Sequence, residues 1–172
     1  DVFNDGLSNS ESNTYLHIRV QKTLGQSFAV DLALTASLSR YKPEGRKEVN
    51  NNFFAISPSL LYRSSNINLQ AGIRPAWDKG KSRIFPNVTA EIATSDQRFS
   101  FQAGWVGYFR NAGFQHMANI NPWIWSPEMV YNSGVDERYA GFKGSAGDHL
   151  NYSAKIGYNK ITNQPLVTNG TS

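Results

Sequence analysis

From Tyr15 onward, apolar and polar residues alternate with a period of two, the spacing that sends successive side chains to opposite faces of a β-strand. The stretch after Gly25 carries the pattern most cleanly. Phe28, Val30, Leu32, Leu34, Ala36 and Leu38 alternate there with Ala29, Asp31, Ala33, Thr35, Ser37 and Ser39. Leu16, Ile18 and Val20 precede it, set against His17, Arg19 and Gln21. The same alternation runs through residues 54–63, 67–77, 84–92, 99–105 and 150–159, and more weakly through 136–145, where Tyr139 and Phe142 fall on opposite faces. These segments predict eight strands and no long helix, an all-β antiparallel up-and-down meander.

The connections add a second regularity. Strands one and two, three and four, five and six, and seven and eight are joined by short polar links at residues 24–26, 64–66, 95–97 and 146–149. The links between these hairpins are read as longer, at 41–51, 78–83 and 111–134. In a meander, short turns then gather at one end and long loops at the other, the arrangement of outer-membrane barrels. The segments are also long, roughly ten residues or more against a mode of ~5–6 in globular sheets and ~9–11 for a tilted strand crossing lipid. Their polar faces carry Ser, Thr, Asn, Gln and Gly rather than the Lys and Glu that protect a soluble sheet. Tyr41, Trp77, Tyr108 and Phe109 lie near the long-loop ends, where an aromatic girdle is expected. Pro58 and Pro75 fall inside predicted strands and each implies a bulge or an unpaired position.

The chain therefore reads as one β-barrel segment over residues 1–172: a polar loop at 1–14, six strands across 15–110, a long loop at 111–134, a hairpin at 135–160 and a polar tail at 161–172. It is expected to be a section of a larger transmembrane barrel rather than a small complete one, because the sequence starts and stops in polar loop text and residues 165–172 lack a terminal apolar strand. Composition sharpens this. Only 17% of residues are charged, and 17 Asn with 18 Ser outnumber the charged residues, so polarity is mostly amide and hydroxyl. Aromatics at 13% argue against a disordered chain. The chain has no Cys, which excludes disulfides, thiolate metal sites and cysteine nucleophiles. No run approaches the ~18 apolar residues of a membrane helix.

The most distinctive text is residues 119–166, with Asn121-Pro122-Trp123 followed by Glu137-Arg138-Tyr139-Ala140-Gly141-Phe142-Lys143-Gly144 and a tight turn. It resembles the barrel region of TonB-dependent outer-membrane receptors of the Bacteroidetes type, where an Asn-Pro-aromatic loop precedes such a strand. The resemblance implies an outer-membrane location and solute binding and uptake. It also implies work with a plug domain, the TonB complex and a surface lipoprotein; the plug and the energy-coupling box are not in this sequence.

Chemical motifs give no catalytic expectation. Gly80-Lys81-Ser82 resembles the end of a phosphate-binding loop, but Pro75 stands where that loop requires Gly. His17, His116 and His149 are too far apart for a zinc pair. Asp136 and Glu137 are adjacent on a strand and point apart, and no nucleophile elbow occurs. No enzyme activity, metal or cofactor is expected. The net charge of +4 is spread through loops without an aromatic-basic platform, so no nucleic-acid partner is expected either. On the polar faces, Arg19, Arg63, Arg74, Lys143 and Lys155 outnumber Asp31 and Glu91, and as lumen-lining charges they predict a mild anion preference. Trp123 and Trp125 in the long loop are candidates for ligand or partner contact, with loop packing as their other role. Two rival readings remain at this point: a soluble all-β ligand-binding module of lipocalin type, with the apolar rows inward, and a small complete outer-membrane barrel with a structural or adhesive role.

Overall fold

A computed structural model describes residues 1–5, 9–121, 123–124, 127–146 and 150–165. Trp125 and His149 lie outside the described residues, as does most of the 146–149 turn. Among the described residues ten strands form one antiparallel sheet: β1 (Val2–Asn4), β2 (Ser10–Leu24), β3 (Phe28–Lys42), β4 (Val49–Asn50), β5 (Phe53–Arg63), β6 (Ile67–Asp78), β7 (Lys81–Ala93), β8 (Phe99–Arg110), β9 (Ser133–Ala146) and β10 (Leu150–Thr162). Neighbours in sequence are neighbours in space, in the order β1-β2-β3-β5-β6-β7-β8-β9-β10, with β4 a two-residue addition to the end of β3. The meander is open. β10 forms one edge and β1 with β2 the other.

All eight predicted strands are present, and the two additional ones are short. Residues 1–14, read as a polar loop, instead hold β1 and the start of β2, paired from Val2↔Ser12 to Asn4↔Ser10. Pairing partners satisfied these polar residues where no apolar alternation marked them. The link at 78–83 was expected to be long, yet Lys79 and Gly80 alone join β6 to β7. Both have positive φ, 48° and 77°, the geometry of a two-residue hairpin turn that follows the twist of its strands. Of the three long links, two remain, at 43–52 and 111–132.

Cross-strand partners share a face, so the ladders define an inner and an outer surface across the sheet. Along β3, Ala29, Asp31, Ala33, Ser37, Ser39 and Tyr41 are buried, while Phe28, Val30, Leu32, Leu34 and Leu38 are exposed. The large apolar side chains lie outside: Leu34 is 42% exposed, Leu60 48% and Ile73 47%, against 3% for Asp31 and 4% for Ser57. This is the reverse of a water-soluble sheet. The sheet also curls toward its polar side. Gln115, beyond β8, bonds Asn13 at the start of β2, and Arg83 on β7 bonds Thr162 at the end of β10.

Pro58 and Pro75 do leave an unpaired window. The β5–β6 ladder runs from Phe53↔Asp78 to Ala55↔Ala76, lapses, and resumes at Ser59↔Gly72 in unchanged register. Each proline lacks an N–H, and both fall in the same gap. No bulge is needed, because the opposite ladders continue intact through Leu32↔Pro58 and Pro75↔Ile84. At the gap's lower end a Cβ on Gly72 would stand 2.4 Å from the Pro58 carbonyl oxygen, so only glycine admits this approach.

The long loop folds inward. Its first part is a helix, α1 (Phe114–Ile120), where none was predicted. Phe114, Met117 and Ala118, at i, i+3 and i+4, turn one face onto Tyr41, with Val130 completing a buried cluster and Phe3, Val49 and Ile124 packed against it. Tyr41 and Phe114 stack with ring centroids 5.0 Å apart. Two members of the expected girdle thus point inward: Tyr41 is fully buried here, and Phe109 packs on Phe85 and Phe53 over Ala55 and Ala76. Trp77 remains on the outer face.

Candidate functional site: the inner face of the sheet

Two halves of the inner face differ in chemistry. Toward the long loops it is closed by the α1 cluster and by polar tethers that hold the loop against the strands. Glu11, fully buried, accepts Ser39 Oγ–H on Oε1 (2.8 Å) and the Gln115 backbone N–H on Oε2 (2.6 Å). Asn51 donates through Nδ2 to Asn132 Oδ1, and Asn132 donates in turn to Asp78 Oδ1 (2.9 Å). Lys79 Nζ donates to the Val130 carbonyl (2.6 Å) and sits 4.3 Å from the Tyr131 ring centroid. Desolvation there lowers the Lys79 ammonium below the usual lysine value, with Asp78 acting the other way. None of these tethers is visible in the alternation, because each joins residues far apart in sequence.

Toward the short turns the inner face stays open and polar. One hollow of about 440 Å³ is lined by Leu61, Arg63, Asn68, Gln70, Glu91 and Tyr139 among others. A second, of about 470 Å³, lies beside it between β8, β9 and β10.

All five predicted lumen charges fall on this face in the register of the ladders. Three are paired with carboxylates. Arg19 Nε meets Asp31 at 2.5 Å, Lys143 meets Glu91 at 2.8 Å, and Lys155 meets Glu137 at 3.1 Å while lying 3.9 Å from the centroid of Tyr139. Arg74 spans the proline gap: Nε donates to Ser57 Oγ and Nη1 to the Gly107 carbonyl, both at 2.9 Å. A side chain thereby bridges strands where the backbone ladder lapses. Arg63 lines the first hollow at its rim. Glu137 was the missing partner. Its neighbour Asp136 points outward to accept the Trp105 indole N–H at 2.9 Å, as period-two geometry requires.

Trp123 is 92% exposed, so loop packing is not its role; its backbone N–H bonds Asn121 Oδ1. His17 faces inward to Thr35 Oγ1 at 3.1 Å. Among the described residues no group of three potential metal ligands occurs, and no helix is long and apolar enough to cross a membrane.

No family model matches the chain, nor does any curated protein or solved structure.

Proposed function

We propose that this chain is a section of the wall of a transmembrane β-barrel in an outer membrane, serving solute binding and uptake in the manner of a TonB-dependent receptor. One observation carries the membrane part: the large aliphatic side chains are displayed on the outer face of a curled sheet whose inner face buries Asp, Ser and Asn. Water makes such a surface costly, at ~25 cal/mol for each Å² of apolar area left exposed. Lipid makes it favourable. A lipocalin-like module would place the same rows inside its cup.

Aromatic positions support this reading. On the outer face Phe28, Tyr62, Phe99, Phe142 and Tyr152 gather toward the short turns, with Phe28–Tyr62 centroids at 5.1 Å and Phe99–Phe142 at 5.9 Å. Phe54, Trp77, Trp105 and Tyr158 lie on the same face farther toward the long loops. Phe54 and Tyr62 are eight residues apart on β5, or roughly 27 Å along a strand. At a tilt of about 35–45° this projects to about 19–22 Å, most of the ~25 Å apolar band between the girdles of an outer-membrane barrel. Uptake and the receptor type rest on the likeness of residues 121–123 and 137–144 to such receptors. The inward long loop then narrows the mouth, and the polar hollows line the lumen beneath it.

Spin labels test the membrane placement in protein reconstituted into phospholipid vesicles. Labels at Leu32, Leu34, Leu69 and Ile73 are expected to be relaxed by oxygen dissolved in lipid and not by a water-soluble nickel chelate. Labels at Ser57 and Ser59 are expected to lack contact with lipid. Outer-face labels shielded from both quenchers, or open to the aqueous one, would overturn the reading.

A further inference from the structure

The second inner hollow has a composition that the wall role does not explain. Its lining includes Arg98 from the β7–β8 turn and Ser100, Lys143, Ser145, Asn151 and Ser153 from three strands. Ser100 is 5% exposed, and its hydroxyl is buried with no hydrogen-bond partner among the described residues. A buried hydroxyl without a partner is uncommon and calls for a group to meet it. Ser100, Lys143, Ser145, Asn151 and Ser153 all fall on the inner face by register, so their polar ends converge.

We propose that this hollow binds a small oxyanion, a phosphate or sulfate group, free or carried on a larger molecule. Arg98 supplies charge at the rim: among the described residues its guanidinium makes no ion pair. The carboxylate of Asp96, two residues away, feels this charge but spends its hydrogen bonds on Thr94 Oγ1 and the Arg98 backbone N–H. Lys143 supplies a second positive charge, shared at 2.8 Å with Glu91 of the neighbouring hollow. The serine hydroxyls and the Asn151 amide supply directional donors. Two cations oppose a metal ion, and a tetrahedral oxyanion offers enough acceptor oxygens to meet donors from three strands at once. Glu91 is the opposing group, so it sets the affinity. The site stands on the inner face whatever medium covers the outer one, and its test is separate from that of the membrane placement.

The full chain, folded in a maltoside detergent that contains no phosphorus, is titrated with inorganic phosphate while phosphorus NMR line width is followed. Saturable broadening that sulfate reverses is expected. Arg98→Gln, at an exposed turn, is expected to weaken binding by about tenfold, and Ser100→Ala severalfold. Glu91→Gln, which frees Lys143, is expected to tighten it severalfold. Glycerophosphodiester headgroups, titrated in parallel, separate the sources: tighter binding than phosphate assigns a lipid headgroup, weaker binding assigns a free or terminal phosphate. No saturable response to either probe, or a phosphate response unchanged in both Arg98→Gln and Glu91→Gln, overturns the proposal.

Discussion

Leu32 and Asp31 are adjacent in the chain and meet opposite environments. One residue apart on β3, they point to opposite sides, and the apolar one is exposed while the carboxylate is buried against Arg19. Exchanging Leu32 for Arg separates the two environments. In a bilayer an Arg near the midplane is expected to cost about 2–4 kcal/mol, seen as a lower denaturant midpoint for protein folded into vesicles. In water the same change at an exposed position is expected to stay within about 0.5 kcal/mol. Asp96 gives a prediction outside the strands. The hydrogen bond from Thr94, then that from the Arg98 N–H, holds its carboxyl below the usual value of 3.8. A depressed folded value means the folded turn releases the proton more readily, so its contribution is present above 3.8 and is lost as pH falls through the lower folded value. Thr94→Ala is expected to move the Asp96 carboxyl titration upward, measured by carbon NMR of that side chain.

At the scale of elements, the long loop owes its place to a few buried polar atoms as much as to its apolar face. Glu11 is the central one, because it joins β2, β3 and the first turn of α1. Glu11→Ala leaves the Ser39 hydroxyl and the Gln115 N–H without their acceptor, at a cost of about 2–3 kcal/mol. The expected outcome is local: amide exchange at Gln115 and Met117 accelerates by about two orders of magnitude, while exchange in β5–β7 changes little. Uniform acceleration across the sheet would show instead that the loop and the wall open together. The proline gap illustrates another element-scale compensation. Arg74 bonds Ser57 and Gly107 across the region where Pro58 and Pro75 remove ladder donors.

Taken as a molecule, the sheet has two unfinished edges. Beyond Asn13, whose backbone pairs with Asp1, the outer edge of β2 has no strand partner among the described residues as far as Leu24, and neither does β10 along Leu150–Thr162. Neither edge contains a proline. Under the proposed membrane placement, lipid requires such edges to be paired. Amides directed outward from β2 and β10 are therefore expected to exchange far faster than those of β5, β6 and β7 when this chain is studied alone in detergent. Equal protection at both edges would mean that they already pair, with each other or with a second copy.

The alternation by itself determined the strands, their antiparallel order and which side chains share a face, because period two is a local property and each hairpin pairs neighbours in sequence. It placed Arg19, Arg63, Arg74, Lys143 and Lys155 on one surface, and it located the prolines that interrupt the ladder. It did not show the start of β2, where Ser10, Glu11 and Ser12 gain their order from partners and not from an apolar row. Nor did it show that Asp78, Lys79, Gly80 and Lys81 form a two-residue turn, since polar residues suit long and short links alike. Only the tertiary structure decided which face is inside, how the long loop lies, and that Glu137 neutralises Lys155 while Arg98 and Ser100 line one hollow. Curvature and loop packing depend on contacts between residues distant in the chain, such as Glu11 and Gln115, 104 positions apart, and a two-residue period carries no information at that distance.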